Sequence, residues 1–233
     1  RAAAVAKSGV PAGNDLPELV EALRRAVANK DEAGARRRSV AVADHADFAT
    51  LDEPLRGVVL YIAALAAVDA NDNPRALARL RQAVALPTAG DSFEPWLLRA
   101  EVAWWEENDE EAVEALTRVA ERWPDHLGDL STFAVNGIAL SDAADKRKRL
   151  RLLQALSAAD YRYRHLGSAS PLWLALATLE LEAGNRDGAR AAVAKVDRTP
   201  EIVHLRSDRR YDGLFDRDDP QFDAARAAQR EVD

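Results

Sequence analysis

Nowhere between Asp15 and Pro200 does a segment of four to eight residues combine strand-like alternation with β-branched enrichment; the apolar residues recur at helical spacing instead. Leu19, Val20, Leu23 and Val27 share one face of a first segment, and short polar turns separate it from the segments that follow. The pattern predicts five helix pairs. They span about Leu16–Asn29 with Glu32–Phe48, Glu53–Ala70 with Pro74–Leu86, Phe93–Glu107 with Asp109–Arg122, Asp129–Leu140 with Ala144–Ala159, and Pro171–Ala183 with Arg186–Val196. Asp72 or Asn73 caps ahead of Pro74, and Asn108 precedes the acidic Asp109-Glu110-Glu111, which suits the positive end of a helix. Ser141-Asp142 leads into the eighth segment. Ser170 is expected as a cap with Pro171 at the first helical position, and Gly184 as a terminator. The fold class is all-α.

Composition agrees with this. Ala and Leu dominate the apolar fraction, with Arg and Glu close behind in helix propensity, while Gly (11) and Pro (10) are sparse. Residues 1–14 lack periodicity and read as a flexible lead-in. Residues 201–233 carry two more cap-plus-proline signals, Thr199-Pro200-Glu201 and Asp219-Pro220, expected to open tail helices. A net charge of −7 disfavours nucleic acid and anionic lipid as partners. The longest apolar run, Gly57 to Val68, falls well short of the roughly 20 residues a membrane span needs. Zero cysteine excludes disulfides, thiolate metal sites and a cysteine nucleophile. The opening Arg1-Ala-Ala-Ala-Val-Ala-Lys lacks an initiator methionine, the mark of a processed or trimmed chain, and favours a periplasmic or exported protein over a cytoplasmic one.

Aligning the turns between paired segments brings out a repeat. The third pair reads Trp96…Ala100…Ala103…Asn108…Ala112…Leu116…Pro124, and the fifth Trp173…Leu176-Ala177…Gly184…Ala189…Val193…Pro200. The second gives Leu60…Ala64…Ala67…Asn71-Asp72…Ala76…Leu80…Ala83…Pro87, and the first Leu19…Leu23…Ala26…Lys30-Asp31…Ala35. Small residues at a helix crossing let two backbones approach closely. Neither helix of a pair can then bury its apolar face alone, so neighbours must stack. This pattern resembles the tetratricopeptide repeat of bacterial type, a unit of about 34 residues, in a degenerate form. The distance from Ala76 to Ala112 is 36 residues, whereas Ala112 to Ala189 is 77; the surplus falls in Tyr161–Ser170. The segment His204–Asp223 resembles the closing phrase that ends such proteins, with Tyr211 and Phe222 as its aromatics. The resemblance implies a right-handed helical-hairpin solenoid over residues 15–200, about five helix pairs, closed by C-terminal capping helices.

No chemistry-bearing motif interrupts this architecture. The four histidines, His45, His126, His165 and His204, are scattered, and no pair stands four residues apart. There is no phosphate loop, nucleophile elbow or dinucleotide fingerprint. No catalytic, cofactor or metal residue is therefore expected. Two basic runs, Arg36-Arg37-Arg38 and Lys146-Arg147-Lys148-Arg149 with Arg151, read as solvated helix faces balanced by nearby acids rather than as docking patches. Trp96 and Trp173 fall where the repeat places a large packing residue. Trp104 and Trp105 are adjacent, so they cannot both face one core.

By the resemblance, the first helices line a concave binding surface. Tyr61, Glu101, Trp104, Leu174 and Thr178 occupy its inner positions. An aromatic beside acids there would suit a peptide with an apolar anchor and a basic flank. The expected function is a scaffold that binds another protein or peptide. The alternatives are a helical enzyme or enzyme-associated domain with a groove-located site, and a subunit of an oligomeric assembly.

Overall fold

The computed structural model describes residues 15–87, 91–161 and 169–196. They form ten α-helices, with two short 3-10 segments and no strand among the described residues. The helices are α1 (Leu16–Ala28), α2 (Glu32–Ala43), α3 (Glu53–Asp69), α4 (Asn73–Val84), α5 (Glu94–Trp105), α6 (Asp109–Arg122), α7 (Thr132–Leu140), α8 (Lys146–Ala158), α9 (Ser170–Glu182) and α10 (Arg186–Val193). The chain divides into two compact units, residues 1–95 and 96–233.

In the first unit each helix packs on the next, α1 on α2, α2 on α3 and α3 on α4. Leu16, Val20 and Leu23 from α1 meet Val42 of α2 and Val59 of α3 in one core. Small side chains share that core: Ala26, Ala35, Ala43 and Ala63 are all buried. In the second unit α6 packs on α8, α8 on α9 and α9 on α10, while the shorter α7 touches α6, α8 and α9. Leu116, Ile138, Leu152, Leu156 and Leu172 are fully buried there.

One turn is built four times. It opens with a residue in the left-handed region: Lys30 (φ 57°), Asn71 (φ 56°), Glu107 (φ 55°) or Gly184 (φ 79°). The next residue, Asp31, Asp72, Asn108 or Asn185, donates its backbone N–H to the carbonyl five residues back, on Ala26, Ala67, Ala103 or Glu180, at 2.8–2.9 Å. This closes the preceding helix as a Schellman turn does. The same residue's side-chain oxygen accepts from the N–H three residues on: Gly34 at 2.8 Å, Arg75 at 3.2 Å, Glu111 at 3.4 Å and Gly188 at 3.1 Å. It thereby caps the following helix. Four residues after the cap stands a buried alanine, Ala35, Ala76, Ala112 or Ala189. The alanines aligned from the sequence therefore hold equivalent places in four hairpins.

The hairpin α7–α8 departs from this. Its second helix is capped by Asp145, whose carboxylate accepts from the N–H groups of Arg147 and Lys148, and not by Ser141-Asp142. Arg149 sits where the other hairpins bury alanine, 93% buried, with Nη1 donating to Asp142 Oδ1 at 2.6 Å.

Several boundaries also shift. α2 stops at Ala43, five residues before Phe48, which instead opens a 3-10 segment, Phe48–Thr50. α7 begins at Thr132 because Pro124–Asp129 is 3-10, and Ser131 caps it. Ser170 is the first residue of α9, fully buried, with Ala169 in the cap position, so it does not cap. The lead-in, most of Tyr161–Ser170, the two tail helices and the closing phrase lie outside the described residues.

Candidate functional site

Counting back from the capping residue of each repeated turn fixes a common register for the first helices. Tyr61 and Leu174 both stand eleven residues before the cap, and Glu101 and Thr178 both seven before it. Trp104, four residues before it, shares its position with Val27, Val68 and Leu181. Tyr61 belongs to the first unit and the other four expected binding residues to the second. Each is partly exposed.

In the second unit Trp104 is the residue with the most distinctive surroundings. Its indole lies against the backbone of α7 at Gly137, so closely that a Cβ there would stand 2.5 Å from Cε2 and Cζ2. One turn earlier on α7, Phe133 meets the same indole edge-on, with centroids 5.3 Å apart and planes at 70°. That is a favoured geometry for an aromatic pair. Phe133 is nonetheless 75% exposed, the most exposed large apolar side chain among the described residues. Trp105 points elsewhere and is 45% exposed, as adjacent positions on a helix require. Trp104 and Phe133 thus form a shelf whose inner edge is packed and whose outer ring faces water.

Glu101 stands one turn before Trp104 on α5. It is half-buried, and burial pushes its carboxyl above the usual carboxylate range. It makes no hydrogen bond or ion pair among the described residues, so its desolvation is uncompensated there. Leu174 and Thr178 stand one turn apart on α9, which packs against α7, and the Thr178 hydroxyl donates to the Leu174 carbonyl at 2.9 Å. In the first unit the Tyr61 hydroxyl is pushed up by burial, then by the Glu94 carboxylate, with Arg36 opposing.

No protein-family model, curated protein or solved structure matches this chain. The surface has to be read from its own chemistry.

That chemistry pairs most cations of the two basic runs with acids of the same chain. Arg36 pairs with Asp69 of α3, and Arg38 reaches Asp31 at 3.4 Å. Along α8, Lys146 pairs with Glu182 at 2.9 Å, Lys148 with Glu110 at 2.6 Å, and Arg151 grips Glu121 through two bonds of 2.7 and 2.8 Å. The hydrogen bond with Lys148 holds the Glu110 carboxyl below its ordinary range. Most of these partners lie on neighbouring helices rather than among the acids flanking each run. The cations link the stack.

The remaining sequence candidates divide. Trp173 is buried in the core, whereas the partly buried Trp96 lies against two guanidiniums, Arg99 at 5.3 Å and Arg118 at 6.0 Å. Arg99 is itself held by a buried pair with Glu111 at 2.7 Å, and Asn108 donates to the second Glu111 oxygen at 2.9 Å. His45 accepts from the Asp47 N–H, and His126 pairs with Asp129 at 2.9 Å; His165 and His204 lie outside the described residues. No group of three or more His, Asp or Glu placed to hold a metal occurs among the described residues. No helix there is long and apolar enough to cross a membrane.

Phe133 and Gly137 escaped the sequence reading. Gly137 was the available signal: a glycine inside a helix costs about 1 kcal/mol against alanine, so its presence in α7 implies a close approach.

Proposed function

We propose that this chain is a non-catalytic scaffold that holds a segment of another polypeptide. In this reading each unit is a stack of tetratricopeptide-like hairpins of the right-handed solenoid type, and the first-helix face of the second unit is the binding surface. The observation that carries it is the shelf: Phe133 stays 75% exposed although Trp104 is fixed beside it by Gly137. A partner's apolar side chain would cover Phe133. A lysine or arginine flanking it would supply the counter-charge that Glu101 lacks.

The test compares the native chain with a Phe133→Ala, Glu101→Lys variant in a quantitative pull-down from the source cells. Circular dichroism verifies that both are folded. Partners that depend on the shelf should be lost from the variant. If the folded variant retains every partner, this surface is not the binding face. Binding through Glu101 should also weaken as pH falls through its raised pKa, since protonation removes the charge.

A further inference from the structure

A groove of the first unit runs along α1 and α2, with a volume of about 1370 Å³. This exceeds the ~300–1,000 Å³ of ordinary small-molecule pockets. Alanines dominate its apolar lining, Ala22 of α1, Ala33 and Ala41 of α2 and Ala66 of α3, beside Pro17, Leu19 and Val40. α2 buries a different set, Gly34, Ala35, Ser39, Val42 and Ala43, in the unit's interior. Among the described residues Ala33 is exposed and Ala41 partly exposed outside that set, while Val40 and Leu19 pack partly against the core and keep part of their surface towards the groove. An apolar groove edged by charges is the form of a protein-interaction site.

Most charges around the groove are already matched. Arg36 pairs with Asp69, Arg75 with Asp44 at 2.5 Å, and Arg25 with Glu21 at 3.7 Å. Two lining charges have no partner among the described residues: Arg37, midway along α2, and Glu18, in the first turn of α1. α1 and α2 form an antiparallel hairpin, so Glu18 stands towards the C-terminal end of α2. It is about one to two helical turns along the groove from Arg37.

We propose that this groove seats an amphipathic helix of a partner protein, its small apolar face down, with an acidic residue against Arg37 and a basic residue against Glu18. A helix satisfies its own backbone hydrogen bonds, which suits a lining that presents side chains of helices and no strand edge. Alanines at Ala22, Ala33, Ala41 and Ala66 let a second backbone approach closely. The inference is independent of the aromatic shelf, which belongs to the other unit.

The probe is a set of fluorescent designed helices of about 14 residues, four turns long, identical in their Ala/Leu face. One carries Glu and Lys one to two turns apart, one carries two lysines there, one two glutamates, and one is broken by proline. Anisotropy with the full chain should rank the Glu/Lys helix first, roughly fivefold above either like-charged helix, with the proline peptide unbound. Arg37→Glu should move the preference to the two-lysine helix, and Glu18→Lys to the two-glutamate helix. Ala41→Trp, at a partly exposed position, should fill the groove and remove binding while circular dichroism stays native. Equal binding of all charge patterns, a preference unmoved by Arg37→Glu, or undiminished binding to Ala41→Trp would overturn the proposal. So would a concentration-dependent dimer dissolved by Ala41→Trp, which would make a second copy the occupant.

Discussion

Replacing Gly137 by alanine tests whether the shelf is built as described, because two effects of known size oppose each other. In an ordinary helix interior the change stabilises by about 1 kcal/mol, since alanine restricts the unfolded backbone. Here the new Cβ would lie 2.5 Å from two indole carbons of Trp104 and 2.7 Å from its Nε1. Carbon atoms rest about 3.5–4.0 Å apart, so the ring must retreat by about 1 Å or swing out. Overpacking of this kind costs about 1–3 kcal/mol, and the edge-on contact with Phe133 is worth about 0.5–1.5 kcal/mol. The indole term should win, leaving Gly137→Ala net destabilising by about 1 kcal/mol. In a Trp104→Ala background the obstacle is gone, and the same change should stabilise by up to about 1 kcal/mol. The coupling between the two sites is then about 1.5–2 kcal/mol. All five tryptophans lie in the second unit, so urea unfolding followed by their fluorescence reports the relevant part of the molecule. Circular dichroism provides the second probe. A Gly137→Ala chain more stable than the native one, or an equal effect in both backgrounds, would refute the packing of Trp104 on α7.

Removing the Glu111 carboxylate as Glu111→Ala should destabilise by about 3–5 kcal/mol, because Arg99 would be left buried without its counter-ion; a denaturation midpoint within error of native contradicts this. Arg149 gives the complementary case: Arg149→Met should be neutral or stabilising, whereas Asp142→Ala should destabilise by removing the guanidinium's carboxylate partner. Thermal melts of the two variants in parallel decide it. Glu107→Gly should stabilise by up to about 1 kcal/mol, since φ 55° strains a residue with a Cβ and suits glycine, as Gly184 shows in the equivalent turn; a lower urea midpoint would contradict it. Glu101→Gln should stabilise at pH 7. Burial raises the folded-state pKa of this carboxyl, so its favourable contribution is present at low pH and lost as pH rises through that pKa. The variant's advantage should accordingly vanish under acidic conditions, and urea midpoints at neutral and acidic pH measure it.

Local structure was largely written in the sequence. The register of the repeat followed from Ala35, Ala76, Ala112 and Ala189, and the turns from Asp31, Asp72, Asn108 and Gly184. Misreadings fell where two local signals competed. Ser141-Asp142 and Asp145 could each cap α8, and the one whose carboxylate meets two N–H groups prevailed. The fourth hairpin looked irregular in sequence because Ala112 and Ala189 stand 77 residues apart, but nothing announced that Arg149 would take the alanine's place and be 93% buried. Of the candidate surface, Glu101 and Trp104 were legible by register. Phe133 was not, since a phenylalanine in an apolar helix reads as core.

What the amino-acid sequence alone determined is the helices, the repeated turns between them and their pairing into hairpins. Those depend on capping bonds, left-handed residues and side-chain spacing that act within about five residues, and local chemistry settles them wherever the helices come to rest. Tertiary structure decided everything that joins distant residues. It brought Lys148 to Glu110 and Arg36 to Asp69, turning apparent basic patches into links between helices. It laid Trp104 across Gly137, more than thirty residues away, and left Phe133 in water beside it. Such contacts follow from how whole helices stack, a balance of buried area and steric fit that no short stretch of chain contains.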